Sequence, residues 1–141
     1  MILWDVNVWV YAFRSDNPMH EQARRTVTSS LASGEPFLFY AFVSASFMRL
    51  VTNDRILREP SDPGEAWRFL DHLESSPGAQ HANLDREAYA IFKHLCLTSS
   101  TTGNHVPDAL LAAAALRYNT ELVTAERGLG RFPGVRIRPV G

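Results

Sequence analysis

Three carboxylates stand where short stretches of the chain change character. Asp5 ends the apolar run Met1-Ile-Leu-Trp4, and Glu126 lies two residues beyond Glu121-Leu-Val-Thr124. Asp108 follows Pro107 at the head of an Ala/Leu-rich stretch. If the two runs are strands of one parallel sheet, Asp5 and Glu126 share its carboxyl edge, where open α/β sheets place ligands. Asp108 joins them if its helix begins at that edge. Carboxylates gathered in one cleft repel each other, and their ionised forms need a compensating cation. An all-oxygen donor set favours Mg²⁺ or Mn²⁺ over zinc. Such a centre suits phosphoryl chemistry, in which the cation polarises a phosphate and activates a water. Singly, each acid has an ordinary explanation: Asp5 as a cap, Asp108 as a first-turn acid on a helix dipole, Glu126 as a solvated loop residue. Their coincidence at three element ends is what suggests a site.

Other chemistries find little support. The five histidines (His20, His72, His81, His94 and His105) show no HxH, HExxH or His-Cys spacing, which argues against zinc. No GxSxG elbow, P-loop or Ser-His-Asp order stands out. Gly128-Leu-Gly130 followed by Gly134 does not fit GxGxxG and reads as a turn. The single cysteine, Cys96, excludes an internal disulfide, suggests a reducing compartment and reads as a small buried hydrophobe. Trp4, Trp9, Tyr11 and Phe13 could stack on RNA bases, but their spacing fits core packing better.

The elements that must position these acids can be read from periodicity. With 141 residues, 45% hydrophobic and 21% charged, the chain has the size and core of one domain, residues 1–141. Fourteen basic against fifteen acidic residues give a net charge of −1, so bulk charge gives no support for nucleic-acid binding. Thirteen of the basic residues are arginine, whose planar fork suits phosphate. The longest apolar run, Phe37 to Met48, is too short to span a bilayer, and no signal-peptide n-region precedes Asp5. These features predict a soluble, cytoplasmic protein with no membrane contact.

Strands are expected at 1–4, 37–40, 80–83 (weakly), 121–124 and 135–138. Met19, Ala23, Val27 and Leu31 mark an amphipathic helix closed by Gly34, and a helical segment carries Met48, Leu50 and Val51. Ala66 to Leu73 and Leu84 to Leu95 mark two more helices. A loop at 98–105 precedes a buried helix from Pro107 to Tyr118. Strands alternating with helices predict an α/β fold with a mainly parallel sheet.

Several segments, in this order, resemble the PIN-domain nucleases. Met1-Ile-Leu-Trp-Asp5-Val-Asn7-Val is similar to the opening strand and DxN motif, and Asn104-His-Val-Pro-Asp108-Ala109 to the later Asn-x-x-x-Asp-Ala element. Leu122-Val-Thr124-Ala-Glu126-Arg127, followed by Gly-Leu-Gly-Arg-Phe132, resembles the Val-Thr-x-Asp-Arg segment. Phe47-Met-Arg49-Leu-Val-Thr52-Asn53 resembles the Phe-Leu-Arg-x-Val-Thr-Asn stretch of VapC-type toxins. The resemblance implies a PIN-like (Rossmann-like) three-layer fold and a metal-dependent endoribonuclease using Mg²⁺, with Mn²⁺ as the alternative. It also implies an RNA substrate, a VapB-like antitoxin and a homodimer. Asp5 and Asp108 would be metal ligands and Glu126 a third catalytic acid where the family usually has Asp. Asn7, Asn104 and Thr124 would be supporting polar groups. Arg49 and Arg127 are candidate RNA phosphate contacts. One departure is plain: the family's usual glutamate three residues before the arginine is here Ser46, which brings a hydroxyl and no charge.

Two other readings stand beside the nuclease. Ser46 motivates a PIN-fold module that binds RNA or antitoxin with too little metal affinity to cut. Phosphatase-like chemistry with Asp5 as nucleophile is the third; it is disfavoured because Asn7 stands where a second acid is expected and Lys93 falls in mid-helix.

Overall fold

The computed structural model describes residues 1–141. Five short strands form one parallel sheet: β1 (Ile2–Trp4), β2 (Phe37–Phe39), β3 (Ala79–His81), β4 (Glu121–Thr124) and β5 (Arg136–Pro139), in the order β3-β2-β1-β4-β5. Every residue of β1 and β2 is buried, as expected for a parallel sheet covered on both faces, and this accounts for their uninterrupted apolar sequence. Trp4 registers with Val123, which in turn registers with Arg138. The chain runs outward from β1 to β2 and β3, then returns to place β4 and β5 on the other side of β1. The β1/β4 boundary is therefore the switch point of the sheet, the usual place for a ligand crevice.

Six helices connect the strands: α1 (Val6–Phe13), α2 (His20–Ser33), α3 (Ala41–Val51), α4 (Pro63–Glu74), α5 (Arg86–Thr98) and α6 (Val106–Arg117). α1 packs on α2 and α3, α3 on α4, and α5 on α6. Gly34 ends α2 in the left-handed region at φ 72°, where a missing Cβ removes the steric penalty. Asp62 caps α4 by accepting from the Glu65 N–H, with Pro63 at the first helical position. Asp85 caps α5 through the Ala88 N–H and also receives the Arg117 guanidinium, which ties the start of α5 to the end of α6. The run Ala112 to Ala115 is buried throughout, in keeping with the nearly all-apolar character of α6.

Three expectations need correction. Residues 6–13 form a helix where none was expected. Val6-Asn-Val-Trp-Val-Tyr-Ala-Phe13 is rich in β-branched and aromatic residues of low helix propensity. Tertiary packing overrides that bias, since Val8, Trp9 and Ala12 form one buried helical stripe. The third strand begins one residue earlier and ends two earlier than expected, and the fifth lies one residue later. Both are edge strands, with at most partial burial, so their apolar pattern is weak. The expected loop at 98–105 begins as the last residue of α5 and ends in a 3₁₀ turn at Gly103–His105.

Candidate metal centre

Asp5 occupies the turn from β1 into α1 at the switch point. Its N–H continues the sheet ladder by donating to Val123 O at 2.9 Å. Although it stands at the N-cap position of α1, its side chain makes no capping hydrogen bond. Instead Asp5 Oδ2 accepts from Thr124 Oγ1 at 2.7 Å, across 119 residues of sequence. The same hydroxyl accepts from the Glu126 N–H at 2.9 Å. Thr124 thus joins two of the three acids, one through its carboxylate and one through its backbone. Asn7, in the first turn of α1, donates from Nδ2 to Glu126 Oε1 at 2.5 Å.

Asp5 and Asp108 line one cleft of about 50 Å³, with Ser46, Val6, Phe42 and Leu111 among its walls. Asp108 reaches it from the first turn of α6, as its position after Pro107 suggested. Ser46 arrives from α3, so the residue that departs from the family pattern faces the two acids directly. Glu126 is exposed, bonded to Asn7, and does not line this cleft. No three acidic, histidine or cysteine side chains converge as a closed ligand group. The three acids expected to gather are thus two in a cleft and one beside it.

Burial dominates the electrostatics. Asp5 is 5% exposed, and desolvation is the largest cause raising its pKa to about 6. The charges of Glu126 and Asp108 push the same way. The Thr124 hydrogen bond opposes the rise, as does the Asn7 backbone N–H, which faces the carboxylate without closing a cap. No lysine or arginine side chain of the protein pairs with Asp5. The donor set of two carboxylates and a hydroxyl facing one small cleft fits a hard divalent ion with room in its shell for water.

The remaining expected residues divide. Arg49 is exposed, one turn beyond Ser46 on α3, and Arg127 is exposed directly after Glu126; neither is in an ion pair. Asn104 is exposed in the 3₁₀ turn and takes no part in the hydrogen bonds around the acids. Two residues near the acids were not read as site residues. Tyr11, one turn beyond Asn7 on α1, is only partly buried, and its phenol is held above its usual pKa first by desolvation and then by the charges of Glu126 and Asp5. The helical i, i+4 spacing from Asn7 would have found it had α1 been recognised. Arg131 approaches Asp108, with Nη2 3.4 Å from Oδ2, and His105 Nδ1 lies 3.6 Å from the same oxygen. No local sequence signal announces Arg131, because its proximity depends on folding the segment after β4 against the start of α6.

With this geometry in hand, the relationships of the chain are direct. A family model described as the PIN domain matches residues 2–135, and the chain belongs to that family. Among curated proteins it is 38% identical over 147 residues to Ribonuclease VapC31 of Mycobacterium tuberculosis (strain ATCC 25618 / H37Rv), with 99% of each chain covered. Its place within the family is thus among the VapC ribonucleases. Of solved structures, VapBC2 from Rickettsia felis, bound to a DNA fragment from their promoter, matches with a TM-score of 0.72 at 16% identity over 100% of both chains. Mycobacterium tuberculosis VapC20, described as a Sarcin-Ricin loop cleaving toxin, matches with a TM-score of 0.71 at 13% identity, covering 99% of this chain and 100% of that one. At such identities these structures speak for the fold.

Proposed function

We propose that this chain is a metal-dependent endoribonuclease, the toxin of a type II toxin–antitoxin pair. The observation that carries the site assignment is the shared cleft: Asp5 and Asp108, 103 residues apart in sequence, face one small space with no lysine or arginine between them. The family relationship supports ribonuclease activity. Asp5 and Asp108 would hold Mg²⁺, with Mn²⁺ as a substitute. A bound cation of this kind polarises a phosphodiester and lowers the pKa of water.

The chain's own residues account for the rest. Thr124 fixes Asp5 Oδ2 and so sets the direction of the other carboxylate oxygen. Asn7 holds Glu126 beside the cleft, where its carboxylate can take a proton from the attacking water. Hydrolysis adds the water oxygen to phosphorus and breaks the P–O3′ bond, leaving a 5′-phosphate and a 3′-hydroxyl; the RNA 2′-hydroxyl does not react. Arg49 and Arg127, both exposed, would meet neighbouring phosphates, and Asn104, in the 3₁₀ turn before α6, would be a supporting polar group. The VapC relationship supports a VapB-like antitoxin as partner, a homodimer as the working unit, and action in the cytoplasm; no helix of the chain is long and apolar enough to cross a membrane.

Total bacterial RNA incubated with antitoxin-free protein in Mg²⁺, Mn²⁺ or EDTA tests this reading, with Asp5→Asn and Asp108→Asn beside it. Discrete fragments that require the metal and vanish in both variants are expected. Ser46 gives the second reading its specific support, since a hydroxyl stands in the cleft where a third charge is usual. No cleavage by folded protein with either metal would favour the RNA- or antitoxin-binding module.

A further inference from the structure

Arg131 stands at the lip of the cleft, held on two sides and loose on the third. Nη1 donates to Gly128 O at 2.7 Å, and the guanidinium carbon lies 4.4 Å from the centroid of the Phe132 ring. Phe132 is only 1% exposed, so the platform under the guanidinium belongs to the core. The third contact, 3.4 Å to Asp108 Oδ2, is well beyond the 2.7–2.9 Å usual for a charge-assisted hydrogen bond. Elsewhere in the chain, arginines committed to carboxylates sit closer: Arg14 to Asp16 at 2.5 Å, Arg117 to Asp85 at 2.7 Å and Arg138 to Glu35 at 2.7 Å. Arg131 is therefore oriented firmly by a carbonyl and a ring, while the edge facing Asp108 is not saturated. Its side chain is 39% exposed, and most of its five N–H donors have no protein acceptor.

The geometry points to Arg131 as an RNA-binding residue that takes a non-bridging phosphate oxygen at the mouth of the Asp5–Asp108 cleft. The inference deepens the ribonuclease reading and rests on it. A guanidinium fork matches a phosphate bidentately, and stacking on Phe132 presets its plane, so little side-chain freedom is lost on binding. In the absence of RNA the same group lies against Asp108 and partly offsets its charge. It thus keeps a positive group beside Asp108, whose charge would otherwise repel the substrate backbone.

The test measures equilibrium binding of a single-stranded RNA oligonucleotide in EDTA across a salt series, using wild type, Arg131→Gln and Arg131→Lys. Steady-state cleavage, Mn²⁺ calorimetry and thermal midpoints accompany it. Arg131→Gln is expected to weaken RNA binding about tenfold, the loss of one charged hydrogen-bonding group. The slope of log K against log salt should fall by about 0.7, one phosphate contact on a single strand. Arg131→Lys should restore the slope, and KM should rise more than kcat falls. Mn²⁺ affinity should be no weaker than in wild type. Unchanged RNA affinity and slope in folded Arg131→Gln would overturn the assignment. So would weakened Mn²⁺ binding with unaltered RNA binding, which would make Arg131 only a support for Asp108. The ribonuclease reading fails separately, if wild type binds the oligonucleotide in EDTA yet cuts no RNA with either metal.

Discussion

At the scale of single residues, Asp5 is costly to the fold when ionised. It is buried, it neighbours two other acids, and only Thr124 and the Asn7 N–H favour its ionised form. With its pKa raised to about 6 in the fold, above the ordinary aspartate range, the native state between about pH 4 and 6 holds a proton that the unfolded chain has released. The stability contributed by neutral Asp5 is complete below about pH 4 and lost as pH rises through 6. A shift of this size corresponds to about 3 kcal/mol. Asp5→Asn keeps an acceptor for Thr124 and removes the charge, so metal-free Asp5→Asn is expected to be more stable than wild type at pH 7.5, by about 1–3 kcal/mol. Near pH 4 the difference should close. Urea titrations at the two pH values measure it, and a variant less stable than wild type at pH 7.5 would show that the carboxylate has a structural role instead. A group that weakens the fold while ionised and abolishes cleavage when neutralised has the mark of function over stability.

At the scale of elements, β1 and β4 deliver Asp5 and Glu126 at the carboxyl edge, while the amino edge beside β3 is closely packed. Gly78, just before β3, shows the contrast: its carbonyl accepts from the Phe37 N–H, and a Cβ there would collide with the Glu35 carbonyl oxygen. Gly78→Ala should therefore cost about 1–3 kcal/mol of stability, as overpacking does. Cleavage per folded molecule should be unchanged, because the clash lies at the opposite end of the sheet from Asp5. Chemical denaturation and a rate normalised to folded protein separate the two effects. Such end-to-end asymmetry was legible in the sequence for β1 and β4, whose apolar runs stop abruptly, and for α6, whose Pro107 and Asp108 mark its start. Asp5 and Asp108 could be chosen on that basis. α1 was hidden because its valines and aromatics favour a strand and only packing makes them helical. Tyr11 went unread with it. Arg131 was invisible for another reason: its neighbours Gly128 and Phe132 are local, but Asp108 is 23 residues away, and no pattern in one chain specifies that approach.

At the scale of the whole molecule, a cation bound between β1 and α6 would couple the site to global stability. A ligand that binds only the folded state stabilises it by about 2.7 kcal/mol at a hundred times its dissociation constant. Thermal denaturation at pH 7.5 should therefore show a midpoint that climbs with Mn²⁺ in wild type and stays flat in Asp5→Asn. At pH 5 the wild-type increment should shrink, because a proton then occupies Asp5 and competes with the ion. An equal increment at both pH values would mean that the ion binds elsewhere.

The sheet order also has a consequence in time. The hydroxyl that orients Asp5 is translated 119 positions after it. β1 is the central strand, and one of its two neighbours, β4, does not exist until then. Until β4 is made, the sheet is an incomplete half without Thr124 and Glu126. A chain stopped short of β4 therefore carries Asp5 without the Thr124 hydroxyl that orients it or the Glu126 carboxylate beside it.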